Sequence, residues 1–203
     1  MHQIREIAQG VYQISTYDEK RGISFNQYLI DDEKAALIST GSVQMFDGIT
    51  GCIQQVRDPS HIDLFIIPHF ESDECGALAK FLEISQGARV VCAPVCARQL
   101  IAFGMCLQPV VVNEYDLVGL GDKRLRFIYA PWEMHLWDGL MAFEERKKIL
   151  FTSDLFGQMG EEGDEIERAV SMSLNSIPTR DKLLRTLEKI EGLDVEIMAP
   201  GLW

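Results

Sequence analysis

The chain has 203 residues, of which 47% are hydrophobic and 25% are charged, as is usual for a globular protein. A chain of this length buries roughly 70% of its extended surface on folding, so neither a disulfide nor a structural metal is needed to build a core. The longest apolar runs, such as residues 64–68, are far shorter than the roughly 18 residues of a membrane-spanning helix. The composition therefore excludes collagen, a disordered tail and a membrane protein.

The charge balance argues against nucleic-acid binding. The chain carries 31 acidic and 19 basic residues, a formal net charge of −12. Such a chain is repelled by a phosphate backbone unless it has a local basic stripe. The densest basic segments, 123–126 and 146–148, are short and are typical of solvated strand ends. We therefore expect no nucleic-acid partner.

The cysteines and the amino terminus indicate a cytoplasmic protein. The five cysteines are an odd number, and no Cys-x-x-Cys pair occurs. The chain starts with polar sequence rather than the apolar segment of a signal peptide. Reduced thiols in the cytoplasm are the simplest interpretation.

The predicted elements alternate along the chain in an α/β pattern. Runs rich in β-branched, aromatic or continuous apolar residues predict strands at 11–16, 24–30, 35–40, 64–67, 89–92, 110–112, 125–129, 140–144, 148–153 and 195–199. Apolar residues at helical spacing predict helices at 48–56, 77–82, 95–103 and 183–190. This order predicts a layered α/β protein with mixed sheets. Since no linker or repeat divides the chain, we expect one domain over residues 1–203.

Potential metal ligands follow the predicted strands at the points where these end. His69, Glu71 and Asp73 come after strand 64–67, His135 follows strand 125–129, and Asp154 follows strand 148–153. In layered α/β proteins, sites form in the loops that leave the carboxyl ends of strands. These loops are therefore expected to converge on one point.

The pattern His69-x-Glu71-x-Asp73 is the most specific local signal. Alternation along an extended loop predicts that the three side chains lie on the same side. With His135 and Asp154, the set includes the two imidazoles and one carboxylate of a non-haem iron site. Iron or manganese is favoured over zinc, which usually has more nitrogen or sulfur ligands. A solvated turn without metal remains the alternative for this segment taken alone.

Three segments carry a resemblance to a known family. Residues 69–78 read His-Phe-Glu-Ser-Asp-Glu-Cys-Gly-Ala-Leu, residues 130–141 contain Ala-Pro, a histidine and Trp-Asp, and residues 150–158 read Leu-Phe-Thr-Ser-Asp-Leu-Phe-Gly-Gln. They resemble, in this order, H-x-E-x-D-H-S-G-A-L, A-P-x-x-H-W-P-D-x-M and L-F-S-S-D-x-F-G-Q. These motifs belong to the metallo-β-lactamase-fold diiron domain of flavodiiron proteins and of the related stand-alone oxygen-binding diiron proteins.

The resemblance implies a metallo-β-lactamase-like αββα sandwich with metals at one edge of the sheets. It assigns His69, Glu71 and His135 to one iron, Asp154 as a bridge between two irons, and Asp73 to the second iron. It further implies a homodimer that binds O₂ or another diatomic ligand. The implied activity is oxygen binding, or a part in the reduction of O₂ or NO.

The sequence departs from the family pattern at the second metal. Glu74 stands where the family has a histidine, and Leu202 stands where the final A-P-S-H motif has its histidine. The second site then keeps only carboxylates, with Glu74 as a candidate ligand beside Asp73. Such a site suits Mn²⁺ or Mg²⁺, or it holds nothing. One or two metal ions per chain are both compatible with this pattern.

Cys75 replaces the serine of the family motif beside the predicted ligands. One interpretation is a metal ligand or an oxidation reporter whose thiol pKa is lowered by the site. The other is a small buried residue at the start of the following helix.

Flavodiiron proteins continue into a flavodoxin-like domain that delivers electrons. This sequence shows neither such a domain nor a glycine loop for FMN, so we expect no FMN and an external electron donor. Two further functions stay open: a metal-free family member acting as an interaction or regulatory module, and a hydrolase of the broader fold. The hydrolase is less favoured because Glu71 stands at the second histidine of the usual H-x-H-x-D-H.

Overall fold

The structure is a computed structural model that describes residues 2–131, 136–158, 167–168, 170–171 and 180–202. Its strands are β1 His2–Ala8, β2 Val11–Asp18, β3 Ile23–Ile30, β4 Ala36–Ile38, β5 Leu64–Ile67, β6 Arg89–Cys92, β7 Val110–Val111, β8 Leu117–Gly119, β9 Arg124–Tyr129, β10 Leu140–Glu144, β11 Ile149–Ser153 and β12 Ile197–Pro200. Its helices are α1 Phe46–Ile53, α2 Ser72–Cys75, α3 Leu78–Ile84, α4 Pro94–Ala102 and α5 Arg180–Glu191, with short 3₁₀ turns at Val43–Met45 and Pro59–His61.

The strands form two mixed sheets. The first has the order β1-β2-β3-β4-β5-β6-β7, antiparallel from β1 to β4 and parallel from β4 to β7. The second has the order β12-β11-β10-β9-β8 and is antiparallel except for the parallel pair β11–β12. The prediction of mixed sheets in an α/β protein is therefore confirmed.

The two sheets pack face to face around a shared apolar core. Alternate residues of β5 and β10 show the arrangement, because Leu64 and Ile66 of the first sheet join the same buried cluster as Leu140 and Ala142 of the second. Successive side chains of a strand point to opposite faces, so the intervening residues point away from this interface. Burial on both faces explains why most of these strands read as continuous apolar runs.

Helices cover the outer faces of both sheets. Helices α1, α3 and α4 pack on the first sheet, where Phe65 and Phe81 are fully buried with ring centroids 5.5 Å apart. Helix α5 packs on the second sheet, with Leu183 and Ile190 against a cluster that includes Met141. The layers are thus α, β, β, α, which confirms the expected sandwich.

The sequence analysis did not predict two of the strands, β1 and β8, and both lie at sheet edges. Strand β1 alternates half-buried residues with exposed ones such as Gln3 and Arg5, and β8 has only one partly buried residue, Val118. An edge strand is hydrogen-bonded on one side only and is often polar, so its apolar signal is weak. The predicted strand 35–40 ends early at β4 because Ser39 takes a left-handed backbone with φ of 60°. No helix in the described ranges is long and apolar enough to cross a membrane.

Candidate metal centre

Four strand ends meet at one edge of the sandwich. The chain leaves β5 through Pro68, whose carbonyl accepts a hydrogen bond at 2.9 Å from the Leu140 amide at the start of β10. At the ends of β11 and β12, the Gly201 amide donates to the Ser153 carbonyl at 2.7 Å. The loops after β5 and β11 and before β10 are therefore held together, as the positions of the predicted ligands required.

His69 is the centre of this cluster and is fully buried. Its Nδ1 lies 2.6 Å from Oδ1 of Asp138, which is also buried, and the other carboxylate oxygen accepts from the Phe70 amide at 2.6 Å. Since Asp138 is engaged at Nδ1, the Nε2 atom is left to face Glu71 and Asp154. Such a carboxylate partner sets the tautomer and orientation of a metal-binding histidine.

His69, Glu71 and Asp154 form a cluster suited to a metal ion. The Nε2 atom of His69 lies 3.5 Å from Oε2 of Glu71 and 3.9 Å from Oδ2 of Asp154. One ligand atom from each residue lies within 4.8 Å of the other two. Two atoms that bind one metal at about 2.1 Å each lie at most about 4.2 Å apart, and both distances from His69 Nε2 meet this limit. The donor set of one imidazole and two carboxylates fits iron or manganese.

The backbone around the centre contains strained residues. Ser39, Trp137 and Ser153 all have φ between 53° and 60°, in the left-handed region that side chains other than glycine seldom adopt. Ser153 ends β11 and directly precedes Asp154, so this turn helps to set the direction of the carboxylate. Trp137 directly precedes Asp138 in the same way. Strain of this kind persists where surrounding packing enforces it, commonly at functional sites.

Burial, hydrogen bonds and neighbouring charges shift the pKa values of the titratable groups at this site. Burial alone lowers the pKa of His69, but hydrogen bonds to Asp138 and Glu71, together with the nearby Glu74 carboxylate, raise this pKa to about 11. Burial and the charge of Glu71 raise the pKa of Asp73. These contacts favour the protonated imidazole, so a metal at Nε2 would compete with a proton.

Asp73 lies outside the three-residue cluster. Glu71 has an extended backbone, with φ of −136° and ψ of 159°, and α2 begins at the next residue. The alternation predicted over 69–73 therefore ends at Glu71, and the prediction of an extended chain through Asp73 was wrong, although the Asp73 carboxylate still interacts with Glu71 and His69. Helix formation from Ser72 is the physical reason, because it replaces the two-residue period of an extended chain. The role of Asp73 as a ligand stays a prediction.

Glu74 is buried beside the cluster without belonging to it. Its side chain is 3% exposed, and its Oε1 accepts a hydrogen bond from Ser153 Oγ at 2.5 Å. Within the described residues, its Oε2 atom has no hydrogen-bond partner. Burial and the charge of Asp154 raise its pKa well above the usual range. Its role as a ligand also stays a prediction.

His135 lies outside the described residues, so its place at the centre stays a prediction. Asp138 had no assigned role in the sequence analysis, although the structure makes it the direct partner of His69. The available signal was its position in the Trp-Asp pair of the second motif, immediately before a predicted buried strand.

The suggested activation of Cys75 was wrong. Burial and the negative charges of Glu74, Asp138 and Asp73 raise the pKa of its thiol to about 12. Every neighbouring charge named here is negative, which disfavours a thiolate. The other interpretation, a small and largely buried residue, fits this environment.

The face-to-face mixed sheets, the outer helices and the edge cluster of imidazole and carboxylates define a metallo-β-lactamase-like sandwich with a candidate metal centre. Within this class, the family described as "ODP family beta lactamase" matches residues 23–201. The chain therefore belongs to the ODP family of beta-lactamase-like proteins.

Relatives and solved structures agree with this assignment. A nitric oxide reductase from Moorella thermoacetica is 30% identical over 144 residues, which cover 70% of this chain and 36% of that protein. A rubredoxin-oxygen oxidoreductase from Megalodesulfovibrio gigas is 30% identical over 139 residues, covering 68% and 34%. The metal-soaked flavodiiron core from Synechocystis sp. superposes with a TM-score of 0.85 at 25% identity, covering 100% of this chain and 56% of that one.

The resemblance to the diiron domain of flavodiiron proteins is thereby confirmed. The chain spans only about a third of the length of these two relatives. The comparisons consequently define the family and the fold of this region.

Proposed function

We propose that this chain is an iron-binding module that binds O₂ or NO and takes part in its reduction with electrons from an external donor. The observation that carries the proposal is the convergence of His69, Glu71 and Asp154, whose ligand atoms lie within 4.8 Å of one another. Support comes from relatives named as a nitric oxide reductase and a rubredoxin-oxygen oxidoreductase. These names do not favour the metal-free module or the hydrolase.

The proposed ligands have distinct roles. His69 supplies Nε2, and Asp138 holds its ring by accepting a hydrogen bond at Nδ1. Glu71 and Asp154 supply carboxylate oxygens, and His135 is the expected second imidazole. Glu71 is the most exposed of the described ligands, with 39% of its side chain accessible, against 13% for Asp154. Among the described ligands, Glu71 is therefore the one most accessible to solvent.

Iron in such a donor set supplies redox chemistry and open coordination positions for a diatomic ligand. For a metal to bind at Nε2, the His69 imidazole must first lose a proton. The contacts that raise its pKa to about 11 favour the protonated imidazole in the metal-free protein. A cation held at Nε2 would take the place of the Nε2 proton, and Asp138 would keep the Nδ1 proton in its hydrogen bond.

The homodimer and the external electron donor rest on family resemblance. The cytoplasmic location rests on the cysteines and the amino-terminal sequence, and the single domain over residues 1–203 rests on the lack of a linker or repeat in the sequence. Manganese is the alternative to iron, and the FMN of flavodiiron proteins is assigned to a separate domain rather than to this one.

Metal analysis tests the proposal directly. The protein is expressed with iron, purified without oxygen, and measured for metal content and for its visible spectrum before and after exposure to air. We expect bound iron and a spectral change in air. His135→Ala should abolish iron retention, whereas His61→Ala, which alters an exposed histidine, should not. If the folded wild-type protein retains no metal, this result contradicts the proposed function.

A further inference from the structure

We infer that this centre holds a single metal ion, because Glu74 and Leu202 stand where a second ion would need imidazole ligands. The inference deepens the proposed function and depends on it. It concerns the two places where the sequence departs from the family pattern, residues 74 and 202.

Leu202 is fixed in an apolar environment. It is 9% exposed and packs in a small cluster with Ile23 and Phe25 from β3. It also forms an isolated β-bridge with Phe25. Around it, the Asn26 amide donates to the Gly201 carbonyl at 2.7 Å. A side chain with no donor atom is thus held by strand packing where the family places an imidazole.

Glu74 is held by its own contacts. Its Oε1 accepts from Ser153 Oγ at 2.5 Å, and its backbone carbonyl accepts from the Thr40 amide at 2.6 Å. The chain at Gly201 closes over it, since a Cβ at Gly201 would lie 3.1 Å from Glu74 Oε1 and 3.3 Å from the Ser153 carbonyl oxygen. Glu74 Oε1 therefore faces Ser153 and the Gly201 backbone, whereas Oε2 has no hydrogen-bond partner among the described residues.

The remaining donors suit a second transition metal poorly. Within the described residues, the metal-suited cluster comprises His69, Glu71 and Asp154, so Asp73 and Glu74 do not join it. A second cation would have carboxylates at Asp73, Glu74 and a shared Asp154, without the imidazoles that favour iron. Asp154 then acts as a ligand to one ion instead of a bridge between two.

The test counts metal and measures magnetic coupling. The wild-type protein is loaded with excess Fe(II) without oxygen, desalted, analysed for iron per chain, oxidised, and examined by electron paramagnetic resonance. We expect one iron per chain and a ferric signal that accounts for all the iron, because an isolated high-spin ferric ion is visible whereas a coupled ferric pair is silent. Two irons per chain with a silent spectrum would overturn the inference and leave the proposed function intact.

A rebuilt second site sharpens the test. Glu74→His combined with Leu202→His should raise the iron content to two per chain and reduce the ferric signal. Glu74→Gln combined with Leu202→Ile disturbs the same positions without adding a nitrogen ligand, and should stay at one. Circular dichroism and urea denaturation establish that each variant is folded. If the folded histidine variant also stays at one, the missing imidazoles at residues 74 and 202 do not account for the single ion, and the inference fails. Loss of all iron from the folded wild type instead contradicts the proposed function.

Discussion

His69 and Asp138 form a buried pair, with Nδ1 2.6 Å from Oδ1, although 69 positions separate them in the chain. The pair joins the loop after β5 to the loop before β10, and so connects the first sheet to the second. The same carboxylate accepts from the Phe70 amide, which fixes the backbone that carries His69. Because the pair orients the one described imidazole of the proposed site, we expect it to affect how well the site holds a metal.

Asp138→Asn is therefore expected to weaken metal binding without removing a ligand. The amide can favour the wrong imidazole tautomer, and loss of such a partner typically costs about 10–100-fold in metal affinity. Competition with a chelator measures this change. Asp181→Asn, in an exposed position on α5, serves as the control. Unchanged affinity in folded Asp138→Asn would show that the pair has no role in metal binding.

Cys75 is expected to resist alkylation in the native protein. Its pKa of about 12 leaves a thiolate fraction of about 10⁻⁵ at neutral pH, and the thiolate is the reactive form. The exposed Cys106 should react with iodoacetamide at least about 100-fold faster. Peptide mass spectrometry over a time course measures both rates, and the difference should disappear in urea. Comparable native rates would contradict the environment described for Cys75.

Asp32 is expected to make stability depend on acid pH. Burial opposes its ionisation, but hydrogen bonds from the amides of Lys123 at 2.7 Å and Glu33 at 2.9 Å, together with the Lys123 charge, lower its pKa in the folded protein. A lowered folded-state pKa gives stability that is complete above the unfolded pKa of about 3.9 and is lost as pH falls through the lower folded value.

Asp32→Asn should accordingly reduce the free energy of unfolding at pH 7 by about 1–3 kcal/mol, with a smaller difference at about pH 3. Urea denaturation at both pH values measures the effect. Glu33→Gln changes an exposed neighbouring carboxylate and should leave stability nearly unchanged. A difference independent of pH would contradict the assignment of the effect to the charge of Asp32.

Glu144 is expected to be a stability residue without a role in metal binding. It is fully buried at the end of β10 remote from Asp138, and its carboxylate accepts from the amides of Arg124, Arg146 and Lys147 at 3.3, 3.1 and 2.5 Å. Glu144→Ala leaves these donors without their partner and should reduce the free energy of unfolding by at least about 2 kcal/mol.

Urea denaturation measures that loss, with exposed Glu188→Gln on α5 as the control. Iron per folded chain should remain that of the wild type. Loss of iron from folded Glu144→Ala would mean that this turn is coupled to the centre at the other end of the strand.

Most of the fold was predictable because core strands carry a strong apolar signal. The predicted strands 64–67, 89–92 and 140–144 match β5, β6 and β10 at both ends. The edge strands β1 and β8 were missed because an edge strand packs on fewer neighbours and keeps polar residues. Hydrophobicity patterns therefore located the buried strands more reliably than the edges of the sheets.

The candidate site was predictable only in part. Residue types and their positions after strands singled out His69, Glu71 and Asp154, which the structure brings together. The same reasoning placed Asp73 beside them through an extended chain, whereas Asp73 interacts with Glu71 and His69 from helix α2, which begins at Ser72. The direction in which successive side chains point depends on the local backbone, and one helical turn after Glu71 changes that direction.

The order of residues along the chain was sufficient to identify the family pattern, the sandwich and its departures at Glu74 and Leu202. These features depend on residue type and on short-range periodicity, which a linear pattern records. The pairing of His69 with Asp138, the raised pKa of Cys75 and the packing of Leu202 against β3 arise from distant segments and from burial. They required the folded chain, because burial and contacts between distant segments appear only when the two sheets have closed on each other.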